Sequence, residues 1–119
     1  MSTSEIDPEV FDFEYLKTYT SEDDDLQRDV MGLFFGQIES LLDRLDPLGT
    51  AQDWKSGAHA IKGSARGLGM VRIGNHCQAM EERKEEPEDT RRKDKAKLQS
   101  EIENARAAVI ICYPGLFDQ

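Results

Sequence analysis

The chain has 119 residues, of which 38% are hydrophobic and 33% charged, a composition typical of one soluble globular domain. Its net charge of −9 disfavours binding to nucleic acid or to an anionic membrane. No apolar run is long enough to span a membrane, and the acidic N-terminus lacks the pattern of a secretory signal. Two cysteines and two histidines, without a CxxC motif, exclude a zinc framework and predict reduced thiols, so we expect a cytoplasmic protein.

The first part of the chain predicts two helices. A short helix is expected over 8–19, with Asp7 as its cap and Pro8 at its first position, and it should lie as a lid across other helices. Ser21 and the four acidic residues after it predict the start of a longer helix, which should end near Pro47. Its apolar residues recur at spacings of three and four: Leu26, Val30, Leu33, Phe34, Ile38, Leu41, Leu42 and Leu45.

Three more helices are predicted over 52–68, 70–86 and 89–112, and they end at Gly69, at Pro87 and at Tyr113-Pro114-Gly115. Four long amphipathic helices with short connections predict an all-α fold, an antiparallel four-helix bundle with the first helix as its lid. We expect a single domain over 1–119. The mixed charge run at 81–97 is interpreted as an exposed connection between helices or as a specificity surface.

The predicted third helix has a distinct outward side. At 100° per residue, its core stripe consists of Trp54, Ala58, Ile61, Ala65 and Leu68. His59 lies roughly 140° from the centre of that stripe. The same outward side carries Gln52, Lys55, Lys62, Gly63 and Arg66. An acidic protein is therefore expected to present three cations around one outward histidine, and a merely solvated basic face is the alternative interpretation.

An outward imidazole suggests nucleophilic chemistry. Near neutral pH it is mostly unprotonated, and one ring nitrogen has a free lone pair. Lys62, one turn after His59, can reach a group attached to the ring, and phosphoryl transfer depends mainly on positioning and charge neutralisation. Gly63 would open space for an incoming partner, whereas Ser64, on the flank toward the core, is expected to give structural support. His76 is interpreted as a structural or surface residue without a ligand role.

The run His59-Ala60-Ile61-Lys62-Gly63-Ser64-Ala65, followed by Gly67-Leu68-Gly69, resembles the signature of histidine-containing phosphotransfer (HPt) domains. That signature reads HxxKGSS with a following LG, so Ala65 replaces its second serine. The resemblance implies a four-helix bundle that carries phosphoryl groups between receiver domains in multistep relays. It implies that His59 is the phosphoacceptor, at the ring nitrogen remote from the backbone, that Lys62 stabilises the phosphoryl group, and that Gly63 clears the approach.

The partners implied are the receiver domains of a hybrid histidine kinase and of a response regulator. Mg²⁺ is expected on the receiver, and no cofactor is expected on this chain, because no carboxylate cluster accompanies His59 in the sequence. A monomer without autonomous kinase activity is expected. Two alternatives stay open: the phosphoacceptor fragment of a histidine kinase, although no nucleotide-binding loop is found, and a helical interaction module without chemistry.

Docking of an acidic receiver pocket would use the basic side of the third helix, through Arg66, Lys55 and Gln52. Met31 and Phe35 fall at an edge of the second helix, beyond its main apolar stripe. They either border the docking surface or belong to a wide core stripe beneath the lid.

Overall fold

The computed structural model describes residues 2–118 and contains helices but no strand within that range. A single 3₁₀ turn, Thr3–Glu5, is followed by α1 Phe13–Tyr19, α2 Asp24–Asp43, α3 Ala51–Gly67, α4 Val71–Glu82 and α5 Glu88–Cys112. The four longer helices form the predicted bundle, in which α3 packs most extensively on α4, and α1 lies against α2. Within residues 2–118, no helix combines the length and apolar character that crossing a membrane requires.

The core runs along the bundle and takes one apolar stripe from each long helix. Its largest fully buried side chains include Met31, Ile38, Trp54, Ile61, Ile73, Met80 and Leu98. Residues outside the helices add Phe11, Leu45, Met70 and Tyr113, which are also buried. Because every long helix is amphipathic, burying these stripes leaves the opposite side of α3 in solvent.

The lid helix is shorter than predicted. α1 begins at Phe13 rather than at residue 8, and its cap is Asp12, whose carboxylate accepts a hydrogen bond from the Tyr15 amide at 3.0 Å. Asp7 instead closes a separate turn, since its carboxylate accepts from the Glu9 amide at 2.9 Å. This turn redirects the chain so that Phe11 enters the core.

The start and end of α2 also differ from the prediction. Ser21 is not the cap: Ser21 and Glu22 have left-handed backbones, with φ of 52° and 61°, and the Asp23 carboxylate caps the helix at the Leu26 amide, 3.1 Å away. The helix ends at Asp43, earlier than expected. Of the predicted apolar stripe, Leu26 and Leu33 are exposed, at 43% and 62%.

Met31 and Phe35 are core residues, so the prediction that they border a docking surface is wrong. Their exposed fractions are 0% and 6%. The Phe35 ring packs edge-on against Phe117 with centroids 5.3 Å apart, and the Arg106 guanidinium lies 4.8 Å from the Phe35 centroid. The C-terminal turn thus covers the edge of α2 that the helical pattern left open.

The charged run 81–97 is only partly an exposed connection. The connection itself is short, and the run continues into the first turns of α5. Arg91 and Asp94 are buried there, and Arg83 donates hydrogen bonds to both carboxylate oxygens of Asp94, at 2.7 and 3.1 Å. This part of the run therefore packs α4 and α5 together.

Candidate functional site

The structure confirms the outward position of His59. Thr50 caps the start of α3, because its hydroxyl group accepts a hydrogen bond from the Asp53 amide at 3.0 Å. With Trp54 and Ile61 fully buried, the helix presents His59 to solvent, and its side chain is 67% exposed.

The nearest charged group to His59 is a carboxylate that sequence reasoning missed. α4 places Glu81 so that its Oε1 lies 3.1 Å from His59 Nδ1 and its Oε2 lies 2.5 Å from Lys62 Nζ. Lys62 also donates a hydrogen bond to Gln78 Oε1 at 2.9 Å. The side chain of Glu81 is only 8% exposed and that of Lys62 only 14%. One buried carboxylate therefore joins the exposed histidine to its neighbouring lysine.

Glu81 is ionised in this arrangement. Burial by itself disfavours the charged form, but hydrogen bonds from Lys62 and His59 outweigh burial and hold the pKa of Glu81 below its usual value. An ionised carboxylate only accepts hydrogen bonds, so Nδ1 of the neutral imidazole must carry the hydrogen. The lone pair is then on Nε2, the nitrogen remote from the backbone, which lies on the solvent side.

The three predicted cations do not ring the histidine. Lys62 forms an ion pair with Glu81. Arg66 points toward α4, where it donates a weak hydrogen bond to Asn75 at 3.4 Å. Lys55 is exposed on the side of α3 that carries His59. A shallow cleft in this surface is lined by Gln52, Lys55, Ser56 and His59.

An apolar groove lies on the other flank of the site. This α2–α3 groove is lined by Tyr19, Val30, Leu33, Phe34, Gln37, Leu41, Gly63, Ser64, Gly67 and Leu68. Leu33 and Tyr19 are its most exposed apolar side chains, at 62% and 71%. A Cβ atom at Gly63 would meet nothing within 4 Å, so the glycine leaves open space rather than allowing close helix packing. Ser64 is exposed and lines the groove, so it does not lie toward the core as the sequence predicted.

The second histidine is a structural residue. His76 is buried, and its Nε2 lies 2.7 Å from the backbone oxygen of Asp94. It thereby links α4 to α5 and takes no part in the site around His59. Across the described residues 2–118, no group of three or more His, Cys, Asp and Glu side chains is arranged to hold a metal ion.

A weak signal for Glu81 was present in the sequence. Ile73, Cys77 and Glu81 follow one another at intervals of four on α4, so Glu81 continues the buried stripe toward α3. Its position inside a charged run concealed this periodicity.

Comparison with known proteins gives one family. The model of the Hpt domain matches residues 29–108, about two thirds of the chain. Searches of curated proteins and of solved structures gave no significant match. The matched region contains His59, Lys62, Gly63 and Glu81.

Proposed function

The chain belongs to the Hpt domain family, and from this we propose that it carries a phosphoryl group on His59 between receiver-domain aspartates in a multistep two-component phosphorelay. Hpt domains are phosphocarriers rather than kinases. The observation that carries the proposal is the exposed His59 imidazole, whose Nδ1 is bound by Glu81 while Nε2 is left to solvent.

The chemistry follows from this geometry. The Nε2 lone pair attacks the phosphorus atom of the partner's aspartyl phosphate, and the aspartate carboxylate leaves with its electron pair. Lys62 lies one turn from His59 and can neutralise charge on the transferred oxygens, which is the main electrostatic requirement of phosphoryl transfer. Mg²⁺ would be held by the receiver domain, where it neutralises the same phosphoryl oxygens.

The α2–α3 groove is the docking surface in this proposal, in place of Met31 and Phe35. Its exposed apolar side chains, above all Leu33, are available to an apolar patch of a receiver domain. Gly63 belongs both to the groove and to the turn of α3 that follows His59, so a partner seated there meets no side chain at position 63 as it approaches the imidazole. Lys55, beside His59, would attract the acidic pocket of the receiver.

The partners are receiver domains of a hybrid histidine kinase and of a response regulator. We propose that the protein acts as a monomer in the cytoplasm, where its two thiols remain reduced. A histidine-kinase fragment or an interaction module without chemistry would each give a different result in the experiments below.

Substitution of His59 tests the phosphocarrier function. The wild-type protein should take label from a receiver domain that carries [³²P]aspartyl phosphate, and His59→Gln should take none, because glutamine has no nucleophilic nitrogen. His76→Gln is the matched control, since the chain has only two histidines, and it should be labelled like the wild type. The label should be stable to alkali and lost in acid, as expected of phosphohistidine.

Two results would contradict this assignment. Equal labelling of His59→Gln and wild type would exclude His59 as the acceptor. Labelling of the isolated protein by [γ-³²P]ATP alone would favour the kinase alternative, because a phosphocarrier requires a phosphorylated partner.

A further inference from the structure

Glu81 contacts the one ring nitrogen that the phosphoryl group does not use. Its Oε1 lies 3.1 Å from Nδ1 of His59, and the carboxylate is nearly buried. Burying an ionised carboxylate is unfavourable unless it is paired, and here it is paired with both His59 and Lys62. Because this contact does not involve Nε2, it can persist when Nε2 of His59 carries a phosphoryl group.

We propose that Glu81 also controls the departure of the phosphoryl group, by holding the proton on Nδ1 of phosphorylated His59 so that the ring leaves as neutral imidazole. The inference rests on the proposed function, in which His59 is both acceptor and donor. Glu81 is a positioning residue here, since it acts on the reacting nitrogen through the imidazole ring.

The phosphoryl group is accepted in one step and released in a second. When Nε2 attacks the aspartyl phosphate, the new N–P bond leaves the ring protonated on Nδ1 and positively charged, opposite the Glu81 carboxylate. In the second step an aspartate oxygen of the next receiver attacks phosphorus, the N–P bond breaks, and its electron pair returns to Nε2. If Nδ1 has kept its proton, the leaving group is neutral imidazole. If the proton has been lost, the leaving group is an imidazolate anion, which is far more basic and leaves far more slowly.

The charged groups around the ring act in opposite directions. From α3, Lys55 and Lys62 disfavour a positive ring, and from α4 Glu81 favours it. Glu81 is the one in hydrogen-bond contact with Nδ1, and it also neutralises Lys62 at 2.5 Å. Glu82, the next acidic residue on α4, accepts instead from Gln78 at 2.9 Å. The balance of these contacts therefore favours the protonated ring.

The pH dependence of phosphoryl loss tests the inference. The protein is loaded with phosphoramidate, and the decay of phosphohistidine is followed by ³¹P NMR between pH 6 and pH 9. Glu81→Gln keeps the volume and an acceptor oxygen but removes the charge, so its decay rate should fall off about one pH unit below that of the wild type. Glu85→Gln removes the same charge from an exposed site on the α4–α5 connection and should behave as the wild type.

The outcomes separate the inference from the proposed function. Coincident pH profiles for Glu81→Gln and wild type would overturn the inference and leave the carrier function intact. A wild-type protein that takes no phosphoryl group on His59 from phosphoramidate or from a receiver would overturn both.

A measurement on the wild type alone guards against misfolding of the variant. ¹⁵N NMR of phosphorylated His59 should show Nδ1 still protonated at a pH where free Nε2-phosphohistidine has lost that proton. Loss of the proton at the same pH in protein and free amino acid would overturn the inference without any variant.

Discussion

Lys62 can pair with two different anions, the Glu81 carboxylate and a phosphoryl group on His59. In the unmodified protein its Nζ contacts Glu81 and Gln78, whereas a phosphoryl group on Nε2 of His59 would offer it a stronger anion. The lysine is thus held close to the reacting atom before any phosphoryl group arrives. The contact with Glu81 also makes the lysine important for stability. Its expected role as a surface cation did not suggest this.

Removal of the lysine should therefore lower stability as well as transfer. Lys62→Met leaves Glu81 buried without its main cation and should reduce the free energy of unfolding by about 1–3 kcal/mol. Adding Glu81→Gln should recover part of this loss, because the unpaired charge is then gone. Because pairing lowers the pKa of Glu81, the coupling is fully present above the ordinary pKa of a glutamate and is lost as the pH falls through the lowered pKa. Urea denaturation of the four proteins of the cycle measures it, and strictly additive effects at pH 7 would contradict the pairing.

The reacting residues could be predicted from the sequence, but the network that orients them could not. The outward position of His59 follows from the 3.6-residue period of α3 alone. Glu81 reaches His59 only because α4 packs on α3, which is tertiary information. The burial of Glu81, a charged residue, is explained by its ion pair with Lys62, which the sequence does not show.

At the scale of elements, the long helices were predictable and their ends were not. Four of the five residues in the core stripe predicted for α3 are fully buried, whereas α1 and α2 are capped by Asp12 and Asp23 rather than by the expected residues. Several acidic residues precede each helix, and any of them can cap locally. Burial of Phe11 and the left-handed turn at Ser21 select among them, and both depend on how the lid packs.

The two flanks of α2 also could not be told apart from the sequence. Periodicity alone did not show which side would be covered, and Phe117 covers the flank that carries Phe35. Leu33, on the other flank, remains exposed in the α2–α3 groove. The docking residues proposed from the sequence and from the structure therefore lie on opposite flanks of one helix.

A side chain placed in this groove should block the partner without harming the fold. Gly63→Gln meets nothing nearby and replaces a helical glycine, so the free energy of unfolding should rise by about 0.5–1 kcal/mol. Transfer from a phosphorylated receiver should slow about tenfold or more, because the imidazole is no longer approached at the right distance.

Gly32→Gln is the matched control for that experiment. Gly32 is equally open but lies on the side of α2 away from the groove, so its substitution should raise stability without slowing transfer. Unchanged transfer by Gly63→Gln, or equal slowing by both variants, would contradict the docking surface.

At the scale of the whole molecule, buried polar contacts tie the ends of the bundle. Near the C-terminus, Tyr113 donates a hydrogen bond to Gln27 at 2.7 Å, and Gln27 donates to Thr20 at 3.0 Å. These bonds join α5, α2 and the segment after α1. A second set, centred on Arg91, joins the α2–α3 and α4–α5 connections.

Arg91 makes the most contacts of these residues, so its substitution should lower the free energy of unfolding the most. Its buried guanidinium donates to the backbone oxygens of Gly49, at 2.8 Å, and of Lys84, and it lies 5.5 Å from the centroid of the Trp54 ring. Arg91→Met would leave these carbonyl groups without their donor and should lower the free energy of unfolding by about 2–4 kcal/mol.

Arg92→Met removes the same charge from an exposed pair with Glu88 and should change the free energy of unfolding by at most about 0.5 kcal/mol. Because Lys84 lies three residues beyond Glu81, Arg91→Met should also loosen the His59–Glu81 contact, seen as exchange broadening of the His59 ring in ¹⁵N NMR. Equal stability of the two variants in urea denaturation would show that this end of the bundle is held by apolar packing alone.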